Sequence, residues 1–162
     1  MKNDAQFDIA LRLEIEDLYG RYIRCVDSGR YDDWPDFFTE DCVYKVQPRE
    51  NFDRGLPLAT LAFESRGMLK DRVYGITQTL FHQPYYQRHL VSGLIVTGRE
   101  GDRIRCEANY LVVRTKRHEL SDILNAGRYY DTLVRTGDGL RFAEKVCVFD
   151  SELIPNSIIY PI

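Results

Sequence analysis

The stretch Tyr86-Gln87-Arg88-His89-Leu90-Val91-Ser92-Gly93-Leu94-Ile95-Val96 constrains the fold more than any other, because it reads as the opening of a long antiparallel sheet. Before it the apolar spacing is mainly helical. After it, alternating runs follow one another through turn residues. Ile104, Cys106, Ala108, Tyr110 and Val112 alternate with Arg105, Glu107 and Asn109, and Gly98-Arg99-Glu100-Gly101-Asp102 supplies the turn that leads there. Ile123 to Arg135 is a further strand, joined by Thr136-Gly137-Asp138-Gly139 to another from Leu140 to Phe149. Asp-Gly between two alternating runs is a strong hairpin signal.

Upstream, Leu11, Ile15, Leu18, Tyr19, Tyr22, Ile23 and Val26 fall at the i, i+3, i+4, i+7 positions of an amphipathic helix from Phe7 to Val26. Asp17 and Arg21 form an i,i+4 pair on its polar face. Gly20 weakens the helix by about 1 kcal/mol relative to Ala unless something packs closely against it. Gly29 is a natural left-handed cap. Asp32 to Phe38 predicts a second, short helix with an acidic cap, Pro35 in its first turn, and Trp34, Phe37 and Phe38 on one core-facing side. Asp41 to Val46 predicts a short strand, and Gln47 to Arg54 a polar loop. Leu58, Leu61, Ala62, Ser65, Met68 and Leu69 repeat at helical spacing and predict a third helix. Tyr74 to Tyr86 reads as a structured loop.

This order predicts an α+β class: three N-terminal helices packed on a curved, mostly antiparallel sheet that leaves a conical hollow. The 162 residues suit a single domain, 1–162, which at this length buries roughly 70% of its unfolded surface without disulfides or metals. A net charge of −3 gives no attraction to a phosphate backbone, so no nucleic acid partner is expected. Cys25, Cys42, Cys106 and Cys147 are scattered, without a CxxC, and read as reduced, partly buried side chains. No apolar run approaches the ~18 residues of a membrane span, and Met1-Lys2-Asn3-Asp4 opens no secretory h-region. The expectation is a cytoplasmic protein with no membrane association.

Several residues are candidates for chemistry or contact. Asp27, Asp33, His82 and His89 are the groups from which an acid–base pair inside the hollow would be drawn. The alternative reading has Asp33 capping a helix, His82 as a loop residue and His89 as a hydrogen-bonded core or interface histidine. Arg88, beside Tyr85 and Tyr86, either anchors a subunit interface or holds an internal Asp. Trp34 reads as core and His118 as a solvated turn residue. The apolar tail Ile158-Ile159-Tyr160-Pro161-Ile162 calls for burial in the groove of its own sheet or, the preferred reading, against a neighbouring subunit. That makes Tyr160 and Ile162 interface candidates with Arg88, His89, Tyr85 and Tyr86.

The segments Asp32-Asp33-Trp34-Pro35-Asp36-Phe37-Phe38-Thr39-Glu40-Asp41-Cys42, Glu50-Asn51-Phe52-Asp53-Arg54-Gly55-Leu56-Pro57, Met68-Leu69-Lys70-Asp71-Arg72-Val73 and Arg88-His89, in this order, resemble the small (β) subunit of Rieske-type aromatic-ring-hydroxylating dioxygenases. The resemblance runs from about Leu13 onward, and is nearest to subunits of aromatic-acid enzymes such as salicylate 5-hydroxylase or terephthalate dioxygenase. It implies a cone-shaped, nuclear-transport-factor-like fold and a non-catalytic, assembly-supporting role. It also implies a catalytic large (α) subunit carrying a Rieske [2Fe-2S] cluster and a mononuclear Fe(II), a small-subunit trimer within an α3β3 hexamer, and a reductase or ferredoxin that acts on the large subunit. No cofactor is expected in this chain, since a Rieske cluster needs paired CxH and CxxH motifs and the sequence has neither. The same fold also hosts free-standing dehydratases, isomerases and small-ligand binders that use the internal cone. The residues alone leave those alternatives open.

Overall fold

In the computed structural model, which describes residues 9–155 and 157–162, helix α1 spans Ile9–Asp27 and buries Ile15, Leu18, Tyr19, Tyr22, Cys25 and Val26. The stripe is the predicted one, widened by Cys25; Phe7 lies outside the described residues. Asp17 and Arg21 pair at 2.7 Å but stay exposed, so the pair contributes little. Gly29 (φ +70°) ends the helix, with its N–H on Val26 O and the Arg30 N–H on Cys25 O, a left-handed cap that satisfies two terminal carbonyls. Nothing lies within 4 Å of a Cβ built at Gly20. No packing therefore offsets its cost to the helix.

The second helix is a 3-10 helix, Tyr31–Phe37, and Asp33 does not cap it; Arg30 occupies that position without a side-chain hydrogen bond, and Asp33 pairs with Arg30 at 3.6 Å in solvent. Trp34 is buried, its indole edge-on to Phe38 at 5.7 Å. That contact draws Phe38 into strand β1, Phe38–Pro48, which is longer than the sequence suggests. A short helix α2, Arg49–Asp53, lies where a polar loop was expected.

The predicted start of the third helix is wrong. Leu61–Phe63 form strand β2, which pairs antiparallel with β1 (Tyr44 opposite Phe63) and stacks Phe63 on Tyr44. Backbone pairing and ring contact override the helical spacing there. The helix α3 spans Arg66–Tyr74 and begins at Ser65, whose hydroxyl accepts from the Met68 N–H. A π-helical turn, Gly75–Thr79, continues it and the chain then runs as coil to the sheet.

Strands β3 (Tyr85–Glu100), β4 (Arg103–Lys116), β5 (Asp122–Thr136) and β6 (Gly139–Phe149) form the meander. The six-stranded sheet has the order β2-β1-β6-β5-β4-β3, parallel between β1 and β6 and antiparallel elsewhere, and its two edges do not meet. Alternation decides the faces. Ile104, Cys106, Ala108, Tyr110 and Val112 all point inward and are buried. At Gly127 a Cβ would stand 1.9 Å from Val148 O, so β5 and β6 approach as closely as they do only because no side chain is there. The four cysteines are buried free thiols.

The tail needs no neighbour to cover it: Ile158, Tyr160 and Ile162 are buried within their own chain, on the inner surface formed by α1, β1, α3 and β3. The hollow predicted from the sequence is occupied by the end of the same polypeptide. No helix among the described residues is long and apolar enough to cross a membrane.

Candidate functional site

The strand β3 presents Tyr85, Gln87 and His89 to the inner face, and α1 ends beside it at Asp27. The Asp27 carboxylate accepts from His89 Nδ1 at 2.6 Å and from the His89 main-chain N–H at 3.0 Å. The His89 side chain is fully buried, and its Nε2 has no hydrogen-bond partner within the chain. Because a carboxylate only accepts, Nδ1 carries a proton, and Nε2 is the ring nitrogen left without a partner in the chain. This dyad has the parts of a general base.

The tail covers the same inner surface. Tyr22 Oη donates to the Ile162 main-chain oxygen at 2.7 Å, and Tyr44 Oη accepts from the Ile162 N–H at 2.8 Å. Gln87 Nε2 donates to Pro161 O at 3.2 Å, and one Arg72 Nη donates to Ile158 O and Ile159 O at 2.8 and 2.9 Å. The tail thus bonds through side chains of α1, β1, α3 and β3 and joins no strand ladder.

Tyr160 sits at the mouth of the cone. Its ring stacks on Tyr31 at 4.9 Å and lies 4.5 Å from Tyr85, and its hydroxyl meets His82 Nε2 at 2.8 Å. Burial, with neighbouring phenols, holds the Tyr31 and Tyr85 hydroxyls above their usual range, so both remain protonated. Desolvation lowers the Arg72 pKa from its usual value.

Deeper in the cone Lys145 and Asp131 form a buried ion pair at 3.0 Å, and Tyr19 Oη donates to the same Asp131 oxygen. Burial raises the Asp131 pKa, opposed by Lys145 and by the Tyr19 hydrogen bond. Sequence reasoning missed this pair. The available signal was that Asp131 shares the alternation phase of Tyr129 and Leu133, and Lys145 that of Cys147 and Phe149, so both charges fall on inward positions.

The structure therefore pairs Asp27 with His89 and gathers Tyr85, four residues earlier on β3, and His82 around Tyr160 at the mouth. It separates Asp33, which faces solvent. Arg88 points outward and holds no internal Asp; its neighbour His89 does so instead. His118 is an exposed turn residue with φ +65°. No group of three or more His, Cys, Asp or Glu side chains gathers to hold a metal ion among the described residues.

Outside the cone, Tyr86, Arg88 and Leu90 lie opposite Thr115, Val113 and Leu111, and Val113 lies opposite Ile123. Tyr86 is 76% exposed, Leu120 of the β4–β5 turn 93%, and Phe81, just before β3, fully so. These large apolar side chains stand exposed at one end and on the outer face of the sheet. The opposite end carries Arg99, Glu100, Asp102, Arg103 and Asp138.

A family model described as a SnoaL-like domain matches residues 8–146. The chain is 38% identical over 155 residues to the anthranilate 1,2-dioxygenase small subunit of Burkholderia cepacia, covering 96% of each chain. It is 24% identical over 150 residues to subunit beta 2 of the terminal oxygenase component of terephthalate 1,2-dioxygenase from Comamonas sp, covering 93% of this chain and 97% of that one. Its fold is similar to that of a beta subunit assigned to an aromatic-ring-hydroxylating dioxygenase of Novosphingobium aromaticivorans, with a TM-score of 0.85 and 35% identity over 96% of this chain and 100% of the other.

Proposed function

Since the chain belongs to the SnoaL-like family and, within it, to the small subunits of aromatic-ring-hydroxylating dioxygenases, we propose that it is the non-catalytic subunit that holds catalytic large subunits in place. The partner carries the Rieske [2Fe-2S] cluster and the mononuclear Fe(II), receives electrons from a reductase or ferredoxin, and hydroxylates an aromatic acid in the cytoplasm. The small subunit forms a trimer within an α3β3 hexamer. Anthranilate-like acids are favoured as the substrate class over terephthalate-like ones by the 38% against 24% identity of the two relatives.

The observation that carries this reading is the exposure of Phe81, Tyr86, Leu90, Leu120 and Ile123 at one end and on the outer face of the sheet, with Arg88 among them. Several large apolar side chains left in water on one part of a surface, beside an Arg, suit burial against another chain. Tyr85 and His89 face inward and support that surface from behind; Tyr86 and Arg88 lie in it. The depth of the cone supports the same reading, because Ile162, held by Tyr22 and Tyr44, fills the interior in which a free-standing dehydratase or isomerase would enclose its substrate.

Co-expression with the large subunit tests the proposal. The expected outcome is a stable hetero-oligomer by light scattering, lost in Phe81→Asp combined with Leu120→Asp while the circular dichroism of the small subunit is unchanged. Turnover of an aromatic acid by the isolated chain at an enzyme-like rate would overturn it.

A further inference from the structure

Tyr160 sits in its surroundings as a ligand sits in a site. Its ring lies between Tyr31 and Tyr85, with centroids 4.9 and 4.5 Å away, and its hydroxyl reaches His82 Nε2 at 2.8 Å. The carbonyl of the preceding residue, Ile159, accepts from Arg72 at 2.9 Å. A phenol ring, a short spacer and an oxygen acceptor are thus read at three points.

Two features set this slot apart from ordinary core packing. Arg72 has no carboxylate partner among the described residues: it donates to two neutral carbonyls, its Nε is buried without an acceptor, and an acid would satisfy it better than a peptide oxygen. Tyr31, His82 and Tyr85 are only half-buried, so the slot opens at the mouth of the cone, and the chain leading into the tail, Ser151 to Leu153, is exposed. Ile162 is held separately, by Tyr22 and Tyr44.

We infer that the slot between Tyr31 and Tyr85 is a binding site for a small phenolic carboxylate, which displaces Tyr160, places its ring between the two tyrosines, its hydroxyl on His82 and its carboxylate on Arg72. The inference does not depend on the assembly role. The occupant has the chemistry of a hydroxylated aromatic acid, and its binding couples occupancy of the mouth to release of the tail.

Calorimetric titration of the full chain with 4-(4-hydroxyphenyl)butyrate, whose three-carbon spacer matches the Cβ–Cα–N path from the Tyr160 ring to the Ile159 carbonyl carbon, tests it together with hydrogen exchange at residues 158–160. Expected are saturable binding, faster exchange of those amides on saturation, and affinity about tenfold or more weaker in Arg72→Met. Because Arg72→Met also frees two tail carbonyls, the ligand is varied on the unaltered chain as well: 4-phenylbutyrate, lacking the hydroxyl, and para-propylphenol, lacking the carboxylate, each bind about tenfold or more weakly. Absence of saturable 4-(4-hydroxyphenyl)butyrate binding at about 10 mM overturns the inference. So does binding that leaves tail exchange unchanged, or that treats the three ligands alike.

Discussion

The Lys145 ammonium stands 3.0 Å from Asp131 Oδ2 with both side chains wholly buried, and 3.4 Å from the centroid of the Tyr129 ring. Tyr22, Phe142 and Tyr19 rings lie within 5.0 Å of the same nitrogen. Removing one partner of such a pair strands a buried charge, at a cost of about 3–5 kcal/mol, whereas replacing both by apolar groups is often near neutral. Lys145→Met is therefore expected to destabilise the chain by about 3 kcal/mol, and Lys145→Met with Asp131→Leu by less than either change alone. Urea denaturation of the three variants reads the coupling; additive losses would show that the pair does not act as a unit.

The way this pair meets explains what the sequence discloses and what it hides. Alternation alone places Asp131 and Lys145 on the inner face, and the Thr136–Gly139 turn sets the hairpin register, which runs Thr136 opposite Gly139 and Leu133 opposite Phe142. Continued unbroken, that register would set Asp131 against Glu144, two carboxylates. A bulge at Ala143 shifts it, so that Lys145 stands opposite Asp131. The bulge lies where the register of β6 with β1 also shifts, between Phe38 and Val43, and leaves no local mark. The same distinction holds elsewhere. The α1 stripe and the β4 alternation are local patterns and were legible, whereas Leu61–Phe63 became a strand because Tyr44 lies opposite, and the tail is held in its own cone by Tyr22, Tyr44, Arg72 and Gln87, scattered over four elements. On β3, His89 was legible as a candidate, but Asp27 as its partner depends on where α1 ends against that strand.

Two carboxylates give opposite pH slopes. Arg114, bonded to Asp122, lowers the Asp122 pKa from its ordinary value, so this group adds stability above about pH 4 that is lost as pH falls through the folded pKa. Burial raises the Asp131 pKa, so its contribution is fully present below about pH 4 and is lost as pH rises through the folded pKa. The loss caused by Asp122→Asn is therefore expected to shrink on acidification, and that caused by Asp131→Asn to grow. Asp122 is half exposed, which keeps its effect well under about 1 kcal/mol. Denaturation midpoints measured across the acid range check both signs.

Two glycines are expected to respond in opposite directions to the same added methyl. Gly20→Ala meets nothing within 4 Å and raises helix propensity on an exposed face, a gain of about 0.5–1 kcal/mol. Gly127→Ala drives a Cβ to 1.9 Å from Val148 O and 2.8 Å from Phe149 Cα, where only backbone can yield, and costs about 1–3 kcal/mol or more. Melting temperatures of the two variants give the comparison directly.

The Asp27–His89 dyad separates a structural from a chemical role for the cone. In His89→Ala the Asp27 carboxylate, whose side chain is 8% exposed, loses the imidazole and keeps only a main-chain donor, so the expected loss is about 1–3 kcal/mol of stability. A support subunit transmits that loss only through the amount of complex formed. Turnover per assembled hetero-oligomer, measured after purification by size, is then expected to equal that of the unaltered complex, and addition of excess variant subunit restores total activity. A dyad that moves protons behaves differently: turnover per complex falls even where mass and melting temperature are preserved, and excess variant subunit does not restore it. Those two measurements together distinguish a histidine that braces the inner face of β3 from one that acts on a substrate.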